Sequence, residues 1–390
     1  MAFLILADGT LFQGKAIGAK THALGEMVFN TSQTGYQEIL TDPSYFGQII
    51  NFTTPHLGNV GVNQADHESE KIHAAAAVFR DYSPHYSNWR AQDSLENFLL
   101  KHHIAALTEI DTRALTLHLR EQGSQNGCIV TVDSITPDQA LSMLQSAPAM
   151  EGSNLATLVS TKKAYLYADP IDALAHMEGS NLATLVSTKK AYLYADPIDA
   201  LAHIVVIDCG VKTAILKTLA TYPIKISVVP DTISFSELTR FSPDGVLLSN
   251  GPGDPESCES VIHLASQLLE QQIPIFGICL GHQILALAAG AKTRKMKFGH
   301  HGANHPIKCC KTGTVFISSQ NHGFVVDEHS LPEHLITTHI SLFDGTIAGL
   351  AHRNAPAFSF QGHPEANPGP NELMILFQQF FHEVQYAKKH

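Results

Sequence analysis

The sequence predicts an α/β protein: a mostly parallel carboxyl-terminal sheet with helices on both faces, preceded by a separate amino-terminal α+β domain. Two patterns carry this prediction. From residue 204 onward short apolar runs (204–208, 225–229, 245–249, 274–278) alternate with helical ones (212–221, 257–271), and strands that read as continuous apolar runs between helices belong to parallel sheets covered on both sides. Before residue 149 the β-rich runs and helices follow no strand–helix–strand rhythm, which is the mark of an α+β arrangement.

Taken in order, the chain opens on Met1 Ala2 Phe3 Leu4 Ile5 Leu6 Ala7 Asp8 and a Gly-Thr turn. No basic stretch precedes the apolar residues, so this is read as a first strand and not as a signal peptide. Residues 28–31 and 48–53 are expected strands, with Asp42-Pro43-Ser44 turning between them, because Asp and Pro favour turns for separate reasons. Residues 93–102 and 112–121 carry amphipathic helix patterns, the second stopping at Gly123.

Residues 150–176 and 177–203 are the same 27 residues twice, without one substitution. Solenoid repeats diverge and need several copies to bury a core. The pair therefore reads as a recent tandem duplication or an assembly error, and the expected division is 1–149, an interdomain segment 150–203, and 204–390. Each copy reads as a helix opened by an N-cap serine (Ser153 in the first), then an extended piece, 164–167, ending at Asp169-Pro170. One copy is expected in its native place and the other looped out, since closure cost grows slowly with length, without effect on function.

The net charge of −11 offers no global basic field for nucleic acid or anionic lipid, and no apolar run is long enough to span a bilayer. Six irregularly spaced cysteines in 390 residues argue against a disulfide framework and for a reducing, cytoplasmic compartment. Among 23 histidines, His300, His301 and His305 invite a metal site. They lie between glycines and a proline in what reads as a loop and lack helical His-x-x-x-His spacing, so no metal is expected.

The chemistry centres on Phe276 Gly277 Ile278 Cys279 Leu280 Gly281 His282 Gln283. A buried strand ends here and a helix begins, so Cys279 sits on a sharp turn whose crowded backbone needs small flanking residues. The first helical N–H groups favour both a thiolate and an oxyanion. Asn250 Gly251 Pro252 Gly253 Asp254 Pro255 ends another strand on the same rim, where ligands gather in parallel sheets. His363 follows a strand-like run, 357–360. Pro364 keeps His363 extended, so Glu365 projects to the same side and can hold the imidazole. A free thiol is only a few per cent thiolate at neutral pH and needs such a base.

These residues, with Gln320 Asn321 His322 Gly323 Phe324, resemble the class I, or triad, glutamine amidotransferases. The amino-terminal part is similar to the carbamoyl-phosphate synthase small-subunit family at Gly25 Glu26 Met27 Val28 Phe29 Asn30 Thr31, Thr34 Gly35 Tyr36, Thr41 Asp42 Pro43 Ser44 Tyr45, Pro55 His56 Leu57 Gly58 Asn59 and Ile110 Asp111 Thr112 Arg113. So is Lys297 Phe298 Gly299 His300 His301 Gly302. The resemblance covers nearly the whole chain except the doubled segment. Asn367 departs slightly from it, standing where a small hydroxyl residue is expected.

The resemblance implies a class I glutaminase fold with Cys279 as nucleophile, His363 as base and Glu365 as its orienter. It implies that the N–H groups of Gly251 and Leu280 form the oxyanion hole, and that Ser44, Gly253, Gln283, Asn321, Gly323 and Phe324 contact L-glutamine. It further implies a large synthase subunit as partner, in a heterodimer or an assembly of heterodimers. That subunit would use the ammonia, with bicarbonate and ATP, to make carbamoyl phosphate for arginine and pyrimidine biosynthesis. ATP and Mg are expected on the partner and no cofactor on this chain, which carries no Gly-x-x-x-x-Gly-Lys-Ser/Thr loop. Three alternatives stay open at this point: the same chemistry serving GMP or anthranilate synthesis, a non-catalytic scaffold subunit, and a free-standing γ-glutamyl hydrolase.

Overall fold

A computed structural model of the chain describes residues 2–167 and 200–389. Seven strands of the amino-terminal part close into a barrel: β1 (Ala2–Leu6), β2 (Leu11–Gly18), β3 (His22–Asn30), β4 (Gln48–Phe52), β6 (Ala76–Val78), β8 (Ala105–Thr108) and β9 (Asn126–Val130), in the order β1-β2-β8-β6-β4-β3-β9. The alternation of β1 shows why it holds its place. Leu4 and Leu6 enter one core with Met27, Ile49 and Leu107, while Phe3 and Ile5 face Ala140 and Leu144 of the Pro137–Gln145 helix, as a side-chain period of two requires. Closure removes the exposed strand edges that an open sheet would present.

The expected strands at 28–31 and 48–53 are β3 and β4, paired in parallel, and the expected helices are Leu95–Lys101 and Thr112–Gln122. β6 and β8 were not expected: they are three- and four-residue strands, Ala-rich and fully buried, too short to show a period. Between β4 and β6 lies β5 (His56–Leu57), which pairs only with β7 (Asp81–Tyr82).

The second sheet has ten described strands: β10 (Tyr165–Leu166), β11 (Ala202–Asp208), β12 (Ile224–Pro230), β13 (Gly245–Leu248), β14 (Ile275–Ile278), β15 (Thr293–Cys309), β16 (Val315–Val326), β17 (Leu335–Ser341), β18 (Ile347–His352) and β19 (Ala357–Phe360), in the order β10-β12-β11-β13-β14-β19-β18-β17-β15-β16. The expectation of a mostly parallel sheet needs correction. β12, β11, β13, β14 and β19 are parallel, but β10 and β15–β18 join antiparallel. Short turns link β15 to β16 and β17 to β18, and a parallel pair would need a crossover of a dozen or more residues.

The parallel part is covered on both faces. Val205, Ile207, Val246 and Leu248 pack under the Glu259–Glu270 and Leu280–Ala288 helices. Ile204, Val206 and Leu247 pack with Leu216 of the Thr213–Leu219 helix and Phe377 and Phe380 of the Ile375–Lys389 helix.

Two further expectations fail. His300, His301 and His305 lie within β15, not in a loop. Gly299 and Gly302 sit at register shifts against β16, between Lys295 and His300 and between Gly302 and His305, while Pro306 stays in register opposite Ile317. Ser153 does not cap a helix. The helix is Ala156–Val159 with Leu155 before it, and the Ser153 hydroxyl turns back to Ala149 O at 2.6 Å because its carbonyl is held by Asp254 N at 3.1 Å. The first copy of the repeat thus packs on the Gly-Pro-Gly turn and adds β10 to the sheet. Residues 168–176, and residues 177–199 of the second copy, lie outside the described residues.

Candidate active site

Three parallel strands, β13, β14 and β19, end on one rim, and each delivers a piece of the site. At the end of β14 the chain turns into the Leu280–Ala288 helix through Cys279, whose φ of 54° and ψ of −103° put a non-glycine residue in a strained conformation. Two backbone bonds hold it there: Cys279 N to Phe360 O at 2.9 Å and Gly281 N to Ser249 O at 3.0 Å. The glycines beside it are sterically required. A Cβ on Gly277 would lie 2.5 Å from Gly281 O, and one on Gly281 only 2.1 Å from Leu248 O.

Beyond the end of β19 comes His363, the expected base. His363 Nδ1 lies 2.8 Å from Glu365 Oε1, both side chains essentially inaccessible, and His363 N donates to Ser319 O at 2.8 Å. The carboxylate fixes Nδ1 as the protonated nitrogen. Nε2 closes no hydrogen bond and is the nitrogen left for Cys279, whose thiol is near enough to bias the charge of the ring. The thiol itself lies 3.4 Å from Asn321 O.

The electrostatics favour an ion pair between His363 and Glu365. Burial opposes charge on His363, but the Glu365 carboxylate and the Cys279 sulfur outweigh it and raise the imidazole above its ordinary value. Burial likewise opposes charge on Glu365, but Lys212 and His363 hold the carboxyl below its usual range.

Lys212 is the residue that the sequence reading missed. Its side chain is 2% exposed, with Nζ 3.1 Å from Glu365 Oε1, 2.7 Å from Ala366 O and 2.9 Å from Asn367 O. All three ammonium donors are used, which is what makes a buried lysine tolerable. Its placement at the carboxyl end of β11, on the same rim, was the one available signal.

Of the residues assigned to glutamine by resemblance, Ser44, Gly251, Gly253, Gln283, Asn321, Gly323 and Phe324 line one pocket with Cys279. Leu280 does not line it with its side chain, which packs into the core. Its backbone N–H, like that of Gly251, donates to no acceptor among the described residues. Gly251 must be glycine to reach this place, since a Cβ would meet Cys209 O at 2.1 Å.

The barrel contributes directly. Ser44 Oγ accepts from Asn250 Nδ2 at 2.8 Å, and Asp42 takes Ser44 N at 2.9 Å and Asn321 Nδ2 at 3.1 Å. Gln283 Nε2 donates to Phe324 O at 2.7 Å and Gln361 Oε1 at 3.1 Å. Glu26, Gln48, Met150 and His301 also line the pocket; Glu26 and His301 lie in the stretches that carry the family resemblance, while nothing in the local sequence marked Gln48 or Met150 as pocket residues. Among the described residues no group of three or more His, Cys, Asp or Glu is arranged to hold a metal ion. His300 pairs instead with Asp344 at 2.9 Å. No helix among the described residues is long and apolar enough to cross a membrane.

Comparison with known proteins adds two family matches. The glutamine amidotransferase class-I family matches residues 205–383, and the carbamoyl-phosphate synthase small chain, CPSase domain, matches residues 4–129. Full-length relatives agree. The carbamoyl phosphate synthase small chain of Photorhabdus laumondii is 50% identical over 389 residues, covering 100% of this chain and 97% of the relative. That of Vibrio parahaemolyticus is 49% identical, covering 100% and 99%, and that of Escherichia coli K12 is 48% identical, covering 100% and 98%.

Proposed function

Because this chain belongs to the carbamoyl phosphate synthase small chain family, we propose that it hydrolyses L-glutamine at Cys279 and delivers the ammonia to a large synthase chain that makes carbamoyl phosphate. His363 Nε2 takes the thiol proton as the sulfur attacks the γ-carboxamide carbon. The tetrahedral oxyanion is received by the N–H groups of Gly251 and Leu280, and losing one such donor typically costs about 3 kcal/mol, a hundredfold or more in rate. His363 then returns the proton to the departing ammonia, leaving a γ-glutamyl thioester. Water, activated by the same imidazole, releases glutamate and restores the thiol. Ser44, Gly253, Gln283, Asn321, Gly323 and Phe324 hold the substrate, and Glu365 orients His363 throughout.

The observation that carries this reading is the strained Cys279 turn facing a carboxylate-held imidazole, with two unspent N–H groups beside it. ATP and Mg belong to the large chain, the two chains forming a heterodimer or an assembly of heterodimers in the cytoplasm. All six cysteines are free thiols, which suits a reducing compartment. The chain divides functionally into the small-chain domain 1–149, the doubled segment 150–203 and the amidotransferase domain 204–390. The test is Cys279→Ser in the two-chain complex: glutamine-dependent synthesis is lost while ammonia-dependent synthesis persists. Unchanged glutamine hydrolysis in that variant would refute the assignment.

A further inference from the structure

Resting on that reading of the site, we propose that Glu68 of the barrel domain is a positioning residue for the glutaminase reaction: it fixes Lys212, and through Lys212 the Glu365–His363 pair.

The helix Thr213–Leu219 begins directly after Lys212, which supplies no side-chain cap. Its first N–H groups are satisfied from the other domain. Glu68 O accepts from Thr213 N at 2.9 Å and from Thr213 Oγ1 at 2.9 Å, and Glu68 Oε2 accepts from Ala214 N at 3.0 Å. Orphan donors at a helix start need such acceptors, and here one acidic residue from a remote segment provides them. The backbone of Lys212 is thereby held from one side while Asn250 Oδ1 takes Lys212 N at 3.2 Å from the other.

Glu68 is itself anchored beside the substrate pocket. Its N–H donates to Thr41 Oγ1 at 3.0 Å, and Thr41 stands just ahead of the Asp42-Pro43-Ser44 turn that brings Ser44 to the pocket. At 2% exposure Glu68 is buried, so its carboxyl cannot be rescued by solvent. Burial pushes the Glu68 carboxyl up and Lys212 opposes that shift, while Glu365, Glu68 and Asp42 in that order favour the charged form of the Lys212 ammonium against burial. One residue thus ties the seating of the barrel to the last link of the chain Lys212–Glu365–His363–Cys279.

The experiment uses the two-chain complex and measures glutamine-dependent synthesis, ammonia-dependent synthesis and thermal unfolding for Glu68→Ala and Glu68→Gln. A positioning role predicts a fall in kcat with glutamine of about tenfold or more for Glu68→Ala, with KM for glutamine within about twofold. Glu68→Gln keeps an acceptor for Ala214 N and loses less, about fivefold. Ammonia-dependent synthesis is unchanged in both, and iodoacetamide alkylates Cys279 more slowly in proportion to kcat. A kcat within twofold of the parent in Glu68→Ala overturns the proposal. So does a parallel fall of the ammonia-dependent rate, which would mean general disruption. Should Glu68→Ala fail to fold, the near-isosteric Glu68→Gln decides on the same twofold criterion. Cys279→Ser in the same assay separates the two ideas. If it still hydrolyses glutamine the site reading is wrong, whereas an inactive Cys279→Ser beside a fully active Glu68→Ala sinks only the role of Glu68.

Discussion

Replacing Gly281 by alanine tests the turn on which Cys279, the proposed nucleophile, stands. The added Cβ would lie 2.1 Å from Leu248 O, 2.6 Å from Leu248 C and 2.8 Å from Leu248 Cβ. None of these is the far end of a flexible side chain, so the helix start must lift off β13 by roughly 1 Å, a displacement that can cost about a hundredfold in rate when it moves reacting groups. The lift also breaks the bond from Gly281 N to Ser249 O. Overpacking of this kind costs typically about 1–3 kcal/mol of stability. Urea unfolding and steady-state glutamine hydrolysis measure the two effects on one preparation. Gly290→Ala is the control. Its φ of +91° is strained for alanine but nothing lies within 4 Å of the new Cβ, so it loses about 1 kcal/mol and keeps its kcat. If Gly281→Ala hydrolyses glutamine within threefold of the parent, the steric account of the turn is wrong.

Two further outcomes follow from the buried charges. Lys212→Met leaves Glu365 buried without its cation; breaking such a pair by removing one partner costs about 3–5 kcal/mol, to be read by denaturant unfolding at neutral pH. A loss below 1 kcal/mol would show that the pair is not a structural tie. His282 is wholly buried, its Nδ1 is 2.9 Å from Ser359 Oγ, and burial pushes its pKa down to about 3 from 6.5. Because the folded value is the lower one, its contribution to stability is present above pH 6.5 and is lost as pH falls towards 3. Between pH 8 and pH 5 that amounts to about 2 kcal/mol. His282→Asn should lose about that much less than the parent over this interval, and equal losses would contradict a neutral buried imidazole.

Much of the site was legible because its chemistry is local. Gly277, Cys279 and Gly281 sit within five residues, and a strand-to-helix turn with a side chain lifted from it demands small neighbours. His363 and Glu365 are two apart, but the expected extended chain does not join them: Ala366 N donates to His363 O at 3.1 Å, so Pro364 and Glu365 form a turn that brings Glu365 Oε1 to 2.8 Å from His363 Nδ1. Lys212 was not legible, because a lysine after a buried strand looks like any solvated one. Only the arrival of Glu365, Ala366 O and Asn367 O from 150 residues away makes it a buried cation. The loop expected around His300 failed for a related reason: Gly299, Gly302 and Pro306 signal a break locally, yet β15 pairs with β16 through them, the glycines at its register shifts and Pro306 in register opposite Ile317.

By itself the sequence determined the parallel core of the second sheet, its Thr213–Leu219, Glu259–Glu270 and Leu280–Ala288 helices and the turn that carries Cys279, since periodicity and turn chemistry act between near neighbours. The tertiary structure alone decided that the first sheet closes into a barrel, that half of the second runs antiparallel, and that Asp42 and Glu68 reach from the barrel to the rim where the resemblance had already placed Ser44. Those outcomes depend on pairings between distant segments, whose partners no local pattern names.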